Sequence, residues 1–79
     1  MSSTEKEKEW ALKASRFLRA ELKRAGLTYQ HLADRLTQHG FAETEGSVAA
    51  KIQRGSFPVA FWLACLAVLK LGETTLADL

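Results

Sequence analysis

The sequence contains one cysteine and only two histidines among its 79 residues. A single cysteine cannot form an intrachain disulfide, so we expect Cys65 to be a small buried apolar residue. A free thiol also fits a reducing compartment, and we expect a cytoplasmic protein. The two histidines, His31 and His39, have no cysteine near them and no carboxylate at metal-ligand spacing. The sequence therefore predicts neither a metal centre nor a cofactor.

Catalytic and membrane motifs are also missing. There is no glycine-rich phosphate loop, and no nucleophile, base and orienting group can be assembled from these few residues. The longest apolar run, Val59 to Leu69, is eleven residues long, whereas a membrane-spanning helix needs about 20. The N-terminal segment lacks the apolar stretch of a secretory signal. We therefore predict a soluble protein that is not an enzyme, with no evident small-molecule ligand.

The composition is that of an ordinary folded domain, with 47% hydrophobic and 25% charged residues. We interpret residues 1–79 as one domain, with residues 1–8 free to fray. A chain of this size buries only about 60–65% of the surface that it exposes when unfolded. Its core is therefore thin, and a partner subunit would add stability.

Apolar residues recur at helical spacing throughout, and no strand-like alternation occurs. The pattern predicts an all-α fold of four to five helices that begin at threonine or proline caps and end near glycines. The four main helices are expected at residues 5–25, 28–39, 44–55 and 59–71. We expect Phe41 to fill the core from the connection before the third helix. A short fifth turn is expected over residues 74–79, where Leu76 and Leu79 would fold back.

Basic residues concentrate in the middle of the chain. From Trp10 to Lys70 there are nine Lys or Arg and four Asp or Glu, a net charge of +5. Such a bias favours a polyanionic partner, although a solvated mixed surface would look similar. Arg16, Arg19 and Lys23 form a basic row on the first helix. We interpret this row first as a solvated face, with contact to a second phosphate strand as the alternative.

The order of the later helices is typical of a helix-turn-helix unit, in which the second helix enters the DNA major groove. The segment 27–71 resembles the lambda-repressor-like helix-turn-helix domains of bacterial and phage regulators. The matching residues lie in the opening helix and at the close of the recognition helix: Thr28, Leu32, Ala33, Ile52, Arg54 and Gly55. The stretches ASRFLRAELKRAGLTYQHLADRL and FWLACLAVL are also similar to a family of small, functionally uncharacterised bacterial domains.

The resemblance implies a DNA-binding protein, a small bacterial transcriptional regulator that places helix 44–54 in the major groove of double-stranded DNA. We expect these residues to contact nucleic acid: Gln30, Arg35, Glu45, Ser47, Lys51 and Arg54. The apolar fourth helix favours a homodimer. We expect these residues at the dimer interface: Phe57, Phe61, Trp62 and Cys65.

The expected recognition helix has few side chains that read bases. Two glutamates near its start, Glu43 and Glu45, would repel phosphate, although Glu can accept a hydrogen bond from cytosine. This pattern favours an alternative function, a homo-oligomeric protein-interaction module that retains the fold without base reading.

Overall fold

Four α-helices form the part of the chain that the computed structural model describes, residues 2–70. They are α1 (Ser2–Ala25), α2 (Tyr29–Gln38), α3 (Glu45–Arg54) and α4 (Val59–Val68). Residues 2–70 contain no β-strand. The prediction of an all-α chain with four main helices is therefore confirmed, and the predicted fifth turn over 74–79 lies outside the described residues.

Two threonines fix the starts of the middle helices. The Thr28 hydroxyl accepts a hydrogen bond from the His31 amide at 3.2 Å, and Thr44 accepts one from the Ser47 amide at 3.1 Å. In return, the His31 Nδ1 and the Ser47 hydroxyl accept from the amides of Thr28 and Thr44. Each threonine thus satisfies amide groups that a helix start leaves without partners. The predicted N-caps of α2 and α3 are confirmed.

Local features of the chain also determine where the helices end. Gly55 follows α3 with a φ of +69°, a left-handed conformation that glycine adopts without steric cost. Lys70 has a φ of +61° just after α4, and α4 ends at Val68 rather than near residue 71 as predicted. At the other end of the chain, α1 begins at Ser2, three residues earlier than predicted.

The core lies where the four helices meet, because each helix contributes apolar side chains to it. The buried members are Leu18, Leu22, Leu32, Ala33, Leu36, Val48, Ile52, Phe61, Ala64, Cys65 and Val68. Phe41 packs against them from the connection between α2 and α3, as predicted. Removal of this apolar surface from water is the main force that holds the short helices together, since each is marginal alone.

α1 and α3 lie side by side and run in opposite directions. Near the middle, the buried Ser15 hydroxyl donates to the Ile52 carbonyl. At the end of α3, a Cβ built on Gly55 would lie 3.5 Å from the side chain of Leu12. Ser15 meets Ile52, and the earlier residue Leu12 meets the later residue Gly55. The C-terminal half of α1 therefore flanks the start of α3.

α4 is apolar on its outer as well as its inner side. Val59 is 73% exposed and Leu63 is 58% exposed, and the neighbouring Ala60 and Ala67 are also exposed. Within the described part of the chain, none of the helices combines the length and the hydrophobicity that a membrane span requires.

Candidate nucleic-acid interface

α3 presents a face of small and polar residues to solvent. It packs onto the core through the buried Val48 and Ile52. Gly46, Ala50 and Gln53 are exposed on the opposite side, as the helical period requires. Two of these three residues have almost no side chain, so another surface can approach the α3 backbone closely.

Glu43, in the connection before α3, is bound to the helix that follows it. Its carboxylate accepts a hydrogen bond from the Ser47 hydroxyl at 2.6 Å and another from the Lys51 ammonium. The Glu43 side chain is 7% exposed and that of Lys51 27%. The Lys51 Nζ also lies 4.9 Å from the ring centre of Phe61. The Lys51 ammonium thereby contacts both the connection before α3 and the core.

The pKa of Glu43 lies below its ordinary value. Burial acts to raise the pKa, but the hydrogen bonds from Lys51 and Ser47 and the positive charge of Lys51 outweigh burial. The carboxylate is therefore ionised at neutral pH, and the two opposite charges largely cancel outside the pair.

This pair alters two sequence-based expectations. The Lys51 charge is bound to Glu43, so a phosphate contact by Lys51 would require the pair to open. The repulsion of phosphate expected from Glu43 is likewise diminished, which leaves Glu45 as the exposed carboxylate in the first turn of α3. The sequence did not predict the pair, since its two residues are eight positions apart across a loop and a helix start.

The other predicted contact residues lie on α2 and at the end of α3. Arg54 is exposed after the last core residue of α3. On α2, the exposed Gln30 amide donates to Asp34 Oδ1 at 2.8 Å. The exposed Arg35 donates to the Val68 carbonyl at 3.4 Å, at the long end of the hydrogen-bond range. Sequence reasoning missed Gln53, an exposed amide beside Arg54 that the helical spacing from Ala50 would have located.

A residue of α1 joins this region. Arg19 lines a surface cavity together with Thr28, Tyr29 and Glu45, where the starts of α2 and α3 meet α1. Its guanidinium donates to the Ser15 hydroxyl at 3.2 Å, and that hydroxyl donates to the α3 backbone. Arg19 is therefore linked to α3 through Ser15.

The residues predicted for a dimer interface divide into two groups. Phe61 and Cys65 are buried inside the protomer and are therefore unavailable to a second copy. Phe57 and Trp62 are half-buried and stack with a ring-centre distance of 6.2 Å. The burial reflects the thin core, to which Phe61 and Cys65 contribute together with Ala64 and Val68. The large exposed apolar side chains of α4 are instead Val59 and Leu63.

The described residues also include no group of three or more His, Cys, Asp or Glu side chains placed to hold a metal ion. The geometry of the site is thus that of a small all-helical domain with an exposed short helix.

Residues 10–74 match the family described as "Domain of unknown function (DUF6471)". The chain belongs to this family, which confirms the predicted similarity to small uncharacterised domains. No curated protein and no solved structure gives a significant match.

Proposed function

We propose that this domain binds double-stranded DNA through a lambda-repressor-like helix-turn-helix made of α2 and α3, and that it acts as a transcriptional regulator. The observation that carries the proposal is the outer face of α3. This helix packs inward through Val48 and Ile52 and leaves Gly46, Ala50 and Gln53 in solvent. A short helix that packs on the core through one side can insert its opposite, exposed side into a groove of DNA.

The chemistry of the face supports a groove of B-DNA. The major groove is about 12 Å wide and admits one α-helix. The small side chains of Gly46 and Ala50 would let α3 approach the base edges. Gln53 has the amide that pairs with adenine, and Arg54 has the guanidinium that pairs with guanine or with phosphate.

The charges around α3 do not oppose this partner. Glu43 is neutralised by Lys51, so one of the two glutamates near the start of α3 does not oppose phosphate binding. Glu45 remains exposed at that end, and at the other end Arg54 adds a positive charge. The chain as a whole carries a net charge of +2.

The test is titration of a labelled random-sequence duplex by fluorescence anisotropy, at about 50 and about 200 mM salt. We expect binding that weakens steeply with salt. Arg54→Ala should weaken it by about 1–3 kcal/mol, roughly 5- to 150-fold. The control is Lys13→Ala, which also removes one positive charge. Lys13 lies on α1, with its Nζ 4.4 Å from the centre of the Trp10 ring. Absence of salt-sensitive binding by the unaltered protein would overturn the proposal.

A second candidate is the homo-oligomeric interaction module, and the outer side of α4 favours it. Val59 and Leu63 are large, apolar and mostly exposed. Leu63 also lines a shallow cavity with Phe41 and three alanines of α4, Ala60, Ala64 and Ala67. Exposed apolar clusters of this kind commonly mark association sites.

Sedimentation of the protein without DNA tests this candidate. Two results together would favour the module over the DNA-binding function: the protein forms an oligomer that Leu63→Lys dissociates, and it has no affinity for duplex DNA. Trp10→Lys is the control, because Trp10 is a similarly exposed large apolar residue on α1. A monomer at every concentration would exclude the module.

A further inference from the structure

The basic row of α1, residues Arg16, Arg19 and Lys23, lies on the side of α1 that adjoins α3. At about 100° per residue, Arg16 and Lys23 fall within about 60° of Arg19 around the helix. Arg19 lines the cavity at the start of α3 together with Glu45. Because α1 and α3 are antiparallel, Arg16 then lies level with the middle of α3. The row thus runs beside the exposed face of that helix.

The three cations of the row are exposed, and within residues 5–70 none of them forms an ion pair with a carboxylate. Arg19 is additionally oriented by the Ser15 hydroxyl, which itself bonds to α3. A guanidinium that is already held in place loses less side-chain entropy when it binds a phosphate.

A second set of basic residues on α1, centred about 100° further around the helix, differs in that each has a local partner. Lys6 pairs with Glu9 at 3.3 Å, and Arg24 pairs with Glu21 at 2.9 Å. Lys13 lies over the Trp10 ring. α1 therefore carries two basic rows, one with local partners and one, beside α3, that leaves its charge for an external anion.

We propose that Arg16, Arg19 and Lys23 bind the phosphate backbone of the duplex whose major groove α3 enters. The inference rests on the proposed function and adds a second contact surface to it. Packed helices lie about 8–10 Å apart, and the major groove is about 12 Å wide. With α3 in the groove, the adjoining row on α1 therefore meets the sugar-phosphate strand at the groove's edge. These contacts position the protein without reading sequence.

The experiment compares two triple variants that change the net charge equally. One replaces Arg16, Arg19 and Lys23 by alanine, and the control replaces Lys6, Lys13 and Arg24. Dissociation constants for the duplex are measured over a range of salt concentrations. Each lost phosphate contact reduces the magnitude of the negative slope of log K against log salt by about 0.9. For the row variant we expect the magnitude of the slope to fall by about 2–3 and the affinity at low salt to fall more than tenfold. The control variant should keep the slope of the unaltered protein.

A double variant, Arg16→Ala with Lys23→Ala, leaves the Ser15–Arg19 bond intact and replaces the triple variant should that one fail to fold. Its expected loss in slope is about 2, measured against Lys13→Ala with Arg24→Ala. Equal slopes for the row and control variants would overturn the inference, and the proposed function would stand provided that Arg54→Ala still weakens binding. If the unaltered protein shows no salt-sensitive binding, the proposed function itself fails.

Discussion

Lys51, in the second half of α3, donates a hydrogen bond to the carboxylate of Glu43, which lies two positions before that helix begins. The same carboxylate accepts from Ser47, one turn nearer the helix start. The connection from α2 is thereby attached to two successive turns of α3. Since Lys51 also lies over Phe61 of α4, the pair helps to set the orientation in which α3 is presented.

Glu43→Gln should destabilise the fold, because it leaves the Lys51 ammonium partly buried without its counter-charge. Both side chains of the pair are mostly shielded from solvent, at 7% and 27% exposure. Loss of hydrogen bonds to a charged group of this kind costs about 1.5–3 kcal/mol. Urea unfolding measures the change. The control is Glu45→Gln, an exposed neighbour in the first turn of α3, for which we expect less than about 1 kcal/mol. Equal losses for the two variants would show that the pair is not stabilising.

The same pair predicts how stability depends on pH. The pKa of Glu43 in the folded protein lies below its ordinary value of 4.5, so the folded state binds this proton less readily than the unfolded state. The stabilisation is therefore complete above about pH 4.5 to 5 and is lost as the pH falls through the lower, folded pKa. In thermal unfolding from pH 6 to pH 3, the difference between the unaltered protein and Glu43→Gln should shrink towards acid. A constant difference would contradict the predicted coupling.

The helices and much of the core were predictable because their signals are local. Thr28 and Thr44 cap the helices that follow them, and Gly55 takes the left-handed conformation expected at a helix end. The Glu43–Lys51 pair was not predictable, since it depends on how the loop folds back onto α3. The burial of Phe61 depends likewise on tertiary packing, because periodicity along an entirely apolar helix does not distinguish its inner side from its outer side.

Cys65 should be almost unreactive while the protein is folded. Burial, and to a lesser extent the negative charge of Glu43, raises the pKa of its thiol to about 12, and only the thiolate is nucleophilic. We expect labelling by a disulfide reagent at pH 8 to be far slower in the native protein than in denaturant, where one thiol per chain should react promptly. Rapid native labelling would show that α4 does not seal this residue into the core.

Ser15→Ala tests the link between α1 and α3. Ser15 is fully buried, and its hydroxyl donates to the Ile52 carbonyl while accepting from Arg19. Loss of the buried neutral hydrogen bond to Ile52 costs about 0.5–1.5 kcal/mol, whereas the exposed Arg19 exchanges its bond to Ser15 for one to water. We expect the lower half of that range, because the Ile52 carbonyl keeps a second bond from the Gly55 amide at 3.1 Å.

Chemical denaturation of Ser15→Ala and Ser56→Ala gives the comparison. Ser56 is exposed, so its variant should differ from the unaltered protein by less than about 0.5 kcal/mol. A more stable Ser15→Ala variant would mean that desolvation of the buried hydroxyl outweighs its hydrogen bonds. The side-by-side arrangement of α1 and α3 would then depend on their apolar contacts alone, and Arg19 would lose the anchor that orients it beside α3.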